Sequence, residues 1–154
     1  MRITLICVGK LGRAPEAALA KDYAARATAA GRSLGLGPVE ILEVESRKPG
    51  KAAEAEAILA KTTAMTLIAC DEHGGAVTSR AFAGRLGALR DEGVRSLGLV
   101  IGGADGLDAG LVRSAQGTLA FGPQTWPHAL ARVMLAEQVY RAATILAGGP
   151  YHRD

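Results

Sequence analysis

The sequence predicts an α/β protein in which helices cover one parallel β-sheet, and three observations support this prediction. Short runs of strand-forming residues alternate with alanine-rich stretches of helical character, the order typical of parallel strands joined by helical crossovers. The chain has 154 residues, a length that fits one domain with a sizeable buried core. Its composition, 49% hydrophobic and 21% charged, is that of an ordinary globular protein. We therefore predict a single domain over residues 1–154.

The strands are predicted from short runs rich in apolar and β-branched residues. The first run ends at Gly9, and the fourth leads directly into a glycine-rich loop. In order, the predicted strands are Arg2–Val8, Val39–Val44, Met65–Cys70, Leu97–Ile101 and Gly117–Ala120.

The helices are predicted from the alanine-rich stretches between these strands. Pro15 and Pro127 suit a first helical turn, because proline lacks an N–H that this turn would leave unpaired. Gly148 and Pro150 follow the last helix and end it. In order, the predicted helices are Pro15–Ala30, Lys51–Lys61, Ser79–Glu92, Asp108–Ser114 and Pro127–Leu146.

Three loops are candidate binding elements, because ligands of such sheets bind outside the carboxyl ends of the strands. They are Asp71–Ala76, Gly102–Gly106 and Gly122–Pro127. The glycines of the second loop allow its backbone to approach a ligand closely and leave N–H and C=O groups open to it. Taken alone, a loop of this kind is more often a tight turn before a helix than a binding element.

Charge and cysteine content limit the possible partners and the compartment. The net charge of +3 is compatible with a polyanionic partner without requiring one, and Arg47, Lys48 and Lys51 form a weak basic cluster. Cys7 and Cys70 lie in predicted apolar strands without CxxC spacing, which indicates free thiols and a reducing cytoplasm. The first apolar run is too short for a signal peptide, and no stretch is long enough to span a membrane.

Several common motifs are absent. The sequence lacks the P-loop, and its glycine loop has the wrong intervals for the GxGxxG dinucleotide fingerprint. The three histidines lack zinc-site spacing, so we expect no metal. An aromatic content of 4% argues against a base-stacking platform.

The last predicted helix is apolar around most of its circumference, which implies a second buried face and favours self-association. Glu137 and Arg141 stand four residues apart on it, the spacing of an ordinary surface ion pair. The tail Tyr151-His152-Arg153 combines a ring that can stack, a group that exchanges protons and a group that binds anions. A short disordered terminus is the alternative interpretation.

Four blocks in the second half of the chain carry a family resemblance. They are Val100–Leu107, Thr125–Val133, Leu135–Ala142 and Pro150–Arg153. In this order they resemble the SPOUT superfamily of RNA methyltransferases, specifically the family that methylates N3 of a pseudouridine in large-subunit ribosomal RNA. Chain length and the opening strand also fit that family.

The resemblance implies a fold, a cofactor and partners. The fold is a parallel-sheet α/β domain with a carboxyl-terminal deep trefoil knot that binds S-adenosylmethionine and forms a homodimer. The substrate is a pseudouridine in the helix 69 loop of 23S rRNA on assembled ribosomes, with no role for DNA or membrane. The implied cofactor-binding residues are Cys70, Gly103, Gly122, Pro123, Gln124, Thr125, Trp126 and Pro127.

The sequence departs from the family pattern at two of these places. Cys70 stands where the family usually has leucine, and the loop that follows it is one residue longer. Gly122, Pro123 and Gln124 stand where serines are usual. Recognition of the cofactor through backbone groups would survive these changes, whereas individual side-chain contacts would not.

The catalytic assignment follows from the chemistry of the acceptor. N3 of the pseudouridine carries a proton, which must pass to a general base, or the anion that forms must be stabilised by nearby positive charge. His152 is the candidate general base. Arg153 and Arg132 are candidates to stabilise the developing oxyanion, and Tyr151 could orient the nucleobase. A tRNA methyltransferase of the same superfamily and a non-catalytic ribosome-associated module are the alternatives.

Overall fold

The computed structural model describes residues 1–152, and all of its strands belong to one parallel sheet in the order β2-β1-β4-β3-β5. Arg153 therefore lies outside the described residues. The strands are β1 (Arg2–Val8), β2 (Val39–Val44), β3 (Thr66–Cys70), β4 (Ser96–Ile101) and β5 (Gly117–Leu119). The helices are α1 (Pro15–Gly31), α2 (Lys51–Lys61), α3 (Ser79–Asp91), α4 (Ala109–Ser114) and α5 (His128–Leu146).

The predicted α/β class is confirmed, and the predicted elements end within one residue of the observed ones. Two helix starts differ because the predicted first residue is a cap. Asp108 has an extended backbone, and its side chain accepts hydrogen bonds from the amides of Gly110 and Leu111. Pro127 likewise has a non-helical ψ of 135° and precedes the first helical residue. A short 3-10 turn at Arg32–Leu34 was not predicted.

Alternating residues of the central strands supply two apolar clusters, one on each face of the sheet. Ile3, Leu5 and Cys7 of β1 pack with α1, α3 and α5, whereas Ile6 and Val8 pack with α2 and α4. Both faces are covered by helices, which is the usual environment of a parallel sheet. None of the helices in residues 1–152 is long and apolar enough to cross a membrane.

The order of the last strands positions the loops of interest. β3 lies between β4 and β5, so the chain passes from β4 to the far side of β3 before it reaches α5. The loops after β3, β4 and β5 therefore leave the sheet at the same carboxyl edge. The trefoil knot stays a prediction.

Candidate active site

The carboxyl edge of the sheet contains a cavity of about 850 Å³, within the range of about 300–1,000 Å³ that is usual for small-molecule and cofactor sites. Its walls come mainly from residues 70–73, 101–107, 119–122 and 124–128. The three loops singled out in the sequence therefore surround one space, together with residues from the helices α2, α4 and α5.

The glycine loop after β4 is both a tight turn and a wall of this cavity. A Cβ added to Gly102 would lie 2.6 Å from the carbonyl carbon of Gly106, so the loop closes on itself only with glycine at position 102. The amide of Gly106 donates to the carbonyl of Gly103 across the turn, at 3.1 Å. Gly106 has a φ of +80°, a conformation that L side chains rarely adopt. The two interpretations of this loop are therefore compatible.

The loop before α5 faces the glycine loop across the cavity. Gly122, with a φ of +103°, turns the chain after β5. The Thr125 hydroxyl donates a 3.0 Å hydrogen bond to the Glu72 carboxylate and so joins this loop to the one after β3. Trp126 lines the cavity and is 41% exposed, which is high for a large apolar side chain.

Most of the predicted cofactor residues line this cavity. Those that do are Cys70, Gly103, Gly122, Gln124, Thr125, Trp126 and Pro127, whereas Pro123 is not among the lining residues. Their role as cofactor contacts stays a prediction. Sequence reasoning did not assign Glu72, Asp105 or Arg113 to the cavity, although the first two lie within the candidate loops.

Both cysteines are free, and neither has the character of a nucleophile. Burial raises the pKa of the Cys7 thiol to about 12. Burial, with a smaller contribution from Cys7, also raises the pKa of the Cys70 thiol. Both sulfurs therefore remain protonated near neutral pH, and Cys70 forms part of the cavity wall as a neutral group.

Arg132 lies in the interior of the protein and outside the cavity wall. Its side chain is 2% exposed, and one terminal nitrogen donates to the carbonyls of Val8 and Gly9. The other terminal nitrogen donates to Glu43 at 3.1 Å, and the same carboxylate oxygen accepts from the amide of Leu11. Arg132 thus fastens α5 to the ends of β1 and β2.

The tail folds back onto α5 through a group of side chains that we call the Glu137 cluster: Glu137, Arg141, Tyr151 and His152. One carboxylate oxygen of Glu137 accepts from Arg141 Nε at 2.9 Å, from Arg141 Nη2 at 2.6 Å and from the Tyr151 hydroxyl at 3.0 Å. The side chains of Arg141 and Glu137 are only 26% and 17% exposed, so the spacing alone was misleading when it suggested an ordinary surface pair. Neither Tyr151 nor His152 lines the cavity.

A second groove, of about 540 Å³, adjoins the cavity. The two share residues 119–122, and the groove continues between α1 and α5 to Glu137 and Gln138. Two large apolar residues of its lining, Leu19 and Val77, are each 47% exposed. From α5, Val133 and Met134 also line the groove, whereas Leu130, which is 42% exposed, does not.

Residues 1–152 match the protein family described as "Predicted SPOUT methyltransferase". The chain belongs to this family. The SPOUT resemblance of the carboxyl-terminal blocks is thereby confirmed.

Relatives within the SPOUT family match the chain over its whole length. It is 68% identical over 154 residues to ribosomal RNA large subunit methyltransferase H of Phenylobacterium zucineum, with 100% of both chains covered. It is 65% identical over 154 residues to the protein of the same name from Caulobacter vibrioides, with 100% and 99% covered. The structure of a probable methyltransferase from Bordetella pertussis is similar with a TM-score of 0.52 and 16% identity, covering 92% of this chain and 96% of that one; this likeness shows the fold alone.

Proposed function

We propose that this protein uses S-adenosylmethionine to methylate N3 of a pseudouridine in the helix 69 loop of 23S rRNA, on assembled ribosomes in the cytoplasm. The observation that carries the proposal is the cavity in which the loops after β3, β4 and β5 meet, in a chain that is 68% identical to a large-subunit rRNA methyltransferase over its full length. We also propose the trefoil knot, because β4 connects to β5 across β3.

The cavity fits the proposed cofactor in size and in character. Residues 102–106 line the cavity, where their peptide groups outside the Gly106–Gly103 hydrogen bond can bind the cofactor, and an added Cβ at Gly102 would have to displace the facing backbone. Ile101, Leu107 and Leu119 supply apolar wall for the adenine, while Lys51 and Arg113 supply positive charge for an anionic group. When bound, the cofactor supplies an electrophilic methyl group on a sulfonium.

The protein has to place the acceptor nitrogen in line with that methyl group, and such positioning provides much of the rate enhancement in bimolecular reactions. We propose that the tail residues Tyr151, His152 and Arg153 act on the base, with His152 handling the N3 proton and Arg153 stabilising the developing oxyanion. We assign to Arg132 the support of the loop after β1, because its guanidinium is buried and donates to Val8, Gly9 and Glu43.

The carboxyl edge also offers a surface for RNA phosphates. β1 and β2 are parallel neighbours with Val8 opposite Val44, so the loops that follow them lie side by side. The first loop carries Lys10 and Arg13, and the second carries Arg47 and Lys48; all of them are exposed. This surface extends the basic cluster predicted from the sequence. We therefore expect RNA binding that weakens as the salt concentration rises.

We further propose that a second copy of the chain covers the groove between α1 and α5. Leu19 and Val77 leave apolar surface open to solvent there, which a soluble chain normally buries in an interface. Leu19→Asp should convert the protein to a monomer in sedimentation velocity. Lys21→Asp, on the same helix, serves as the matched control and should stay dimeric. A wild-type protein that sediments as a monomer would contradict the proposal.

The direct test of function is methyl transfer from tritiated S-adenosylmethionine to ribosomes isolated from a strain that lacks this modification. We expect label in 23S rRNA and, by mass spectrometry, one methyl group on a pseudouridine of the helix 69 loop. Protein-free 23S rRNA and tRNA are the comparison substrates and should be poor acceptors. Preferential labelling of tRNA would overturn the substrate assignment. Calorimetry that detects no binding of S-adenosylmethionine would indicate a non-catalytic module.

A further inference from the structure

The Glu137 cluster is more elaborate than an anchor for a chain terminus requires. A single carboxylate oxygen receives three donors, and the second oxygen accepts from Gln138 Nε2 at 2.7 Å. The Arg141 guanidinium also lies over the Tyr151 ring, with its central carbon 4.8 Å from the ring centroid. Glu137 and Arg141 thus form an ion pair, and each of them also contacts Tyr151.

Aromatic contacts hold the Tyr151 ring of the tail against α5. The Tyr151 ring packs on Tyr140 with a centroid distance of 4.6 Å, and Tyr140 in turn lies 6.1 Å from Tyr23 of α1. Burial, followed by the hydrogen bond to Glu137, raises the pKa of the Tyr151 phenol to about 12. Its hydroxyl therefore remains a donor to Glu137 throughout the physiological pH range.

The cluster also determines how His152 is presented. Arg141 Nη1 lies 3.4 Å from Nδ1 of the His152 ring. A guanidinium has only donors, so a hydrogen bond at this position requires Nδ1 as the acceptor, and we assign the proton of the neutral ring to Nε2. In this tautomer Nε2 is a hydrogen-bond donor, the kind of group that stabilises a carbonyl oxygen gaining negative charge.

We propose that Glu137 and Arg141 are positioning residues that hold Tyr151 and set the tautomer of His152 for the methyl-transfer step. The proposal rests on the proposed function, and it changes one part of it: once the substrate is bound, His152 in the Nε2–H tautomer acts on the nucleobase as a hydrogen-bond donor. The N3 proton then leaves to solvent or to another group as negative charge develops on the pyrimidine oxygens.

The test compares Arg141→Lys and Tyr151→Phe with the wild type in steady-state methylation of ribosomes. Lysine keeps the charge of Arg141 but lacks the planar guanidinium that pairs with Glu137 through two nitrogens, covers the Tyr151 ring and reaches His152. We expect kcat to fall about 100-fold in Arg141→Lys, the size of effect that a displacement of about 1 Å produces, and by less in Tyr151→Phe. The Kd of S-adenosylmethionine should be unchanged, because neither residue lines the cavity.

Two further measurements separate positioning from a structural role. The ¹⁵N spectrum of the histidine rings should show His152 as the Nε2–H tautomer in the wild type and a mixture of tautomers in Arg141→Lys. Glu137→Gln, which retains an acceptor, should recover part of the kcat that Glu137→Ala loses. Glu137 also lines the groove, so sedimentation velocity must show the same oligomeric state for both variants.

The matched control is Asp22→Asn, which breaks another ion pair with four-residue spacing, on α1, whose two side chains are about half exposed. It should leave kcat and the histidine spectrum unchanged. Wild-type kcat in Arg141→Lys, or a loss of kcat that only follows a loss of thermal stability, would overturn the positioning role. A wild-type protein that binds S-adenosylmethionine but methylates no ribosome would instead overturn the proposed function.

Discussion

The cavity and the Glu137 cluster both border α5, yet they are built in different ways. The cavity is formed by the loops after β3, β4 and β5, with four glycines among its lining residues, and a hydrogen bond between the Thr125 and Glu72 side chains joins two of these loops. The cluster is made of side chains: two charged groups, a phenol and an imidazole meet within hydrogen-bond distance. The first construction suits a ligand that is recognised by shape and by peptide groups, whereas the second suits the precise placement of one or two side chains.

This difference affects how freely residues can be exchanged in the two regions. Under the proposed function, recognition by backbone groups of the cavity tolerates the departures from the family pattern at Cys70 and in the Gly122-Pro123-Gln124 segment. Glu137, Arg141 and Tyr151 cannot be replaced so freely, because each bonds to at least one of the others. Substitutions should therefore act differently in the two regions.

The largest effect should come from Arg132, a side chain that ties backbone together. Arg132→Met keeps the apolar stem but removes the donors to Val8 and Gly9 and leaves Glu43 without its cation. We expect the free energy of unfolding to fall by about 2–4 kcal/mol, slightly below the usual cost of breaking a fully buried pair, because Glu43 is one-third exposed. Urea denaturation measures this. Arg26→Met, which breaks an exposed pair, should cost about 0.5 kcal/mol, and an equal loss in both would contradict the structural role.

The next largest effect should come from the glycine loop of the cavity. The methyl group of Gly102→Ala would approach the carbonyl carbon of Gly106 to 2.6 Å, so the loop must open. Overpacking of this kind costs about 1–3 kcal/mol, which corresponds to a roughly 5- to 160-fold weaker Kd for S-adenosylmethionine in calorimetry. Gly75→Ala is the control, since an added Cβ there meets nothing within 4 Å. Unchanged affinity in Gly102→Ala would show that this loop does not hold the cofactor.

The sequence predicted the fold well because the periodic patterns that define it are local. Strand composition and alanine-rich stretches gave every strand and α-helix, and the carboxyl-end rule brought together three loops that lie far apart in sequence. The short 3-10 turn after α1 was missed because it interrupts no apolar pattern.

The site was only partly predictable because its side-chain contacts depend on three-dimensional packing. Arg132 carries the charge of a catalytic candidate, but only the packing of α5 across the ends of β1 and β2 shows that it is buried. Similarly, four-residue spacing predicts that Glu137 and Arg141 meet, but it does not reveal that the tail folds back and adds Tyr151 to the pair.

A smaller effect should appear in the titration of Tyr151. Its pKa reports how well the Glu137 cluster shields the phenol from solvent and keeps its hydrogen bond to Glu137. Its pKa is raised from the ordinary 10.0 to about 12, so its contribution to stability is present below pH 10 and is lost as the pH rises through 12. The difference in phenolate absorbance between the wild type and Tyr151→Phe should therefore develop near pH 12. A transition near pH 10 would indicate that the phenol is open to solvent and that the cluster is loose in solution.

The smallest effect should come from the side-chain bond between two cavity loops. Thr125→Val keeps the shape of the side chain but removes the exposed hydrogen bond to Glu72. Such a bond contributes about 0.5–1.5 kcal/mol at most, so the Kd of S-adenosylmethionine should rise about two- to tenfold. Glu72→Gln, which retains an acceptor for the Thr125 hydroxyl, should remain close to the wild type. If Thr125→Val instead weakened binding more than Gly102→Ala does, cofactor recognition would depend on side chains, and the contrast between the cavity and the Glu137 cluster would not hold.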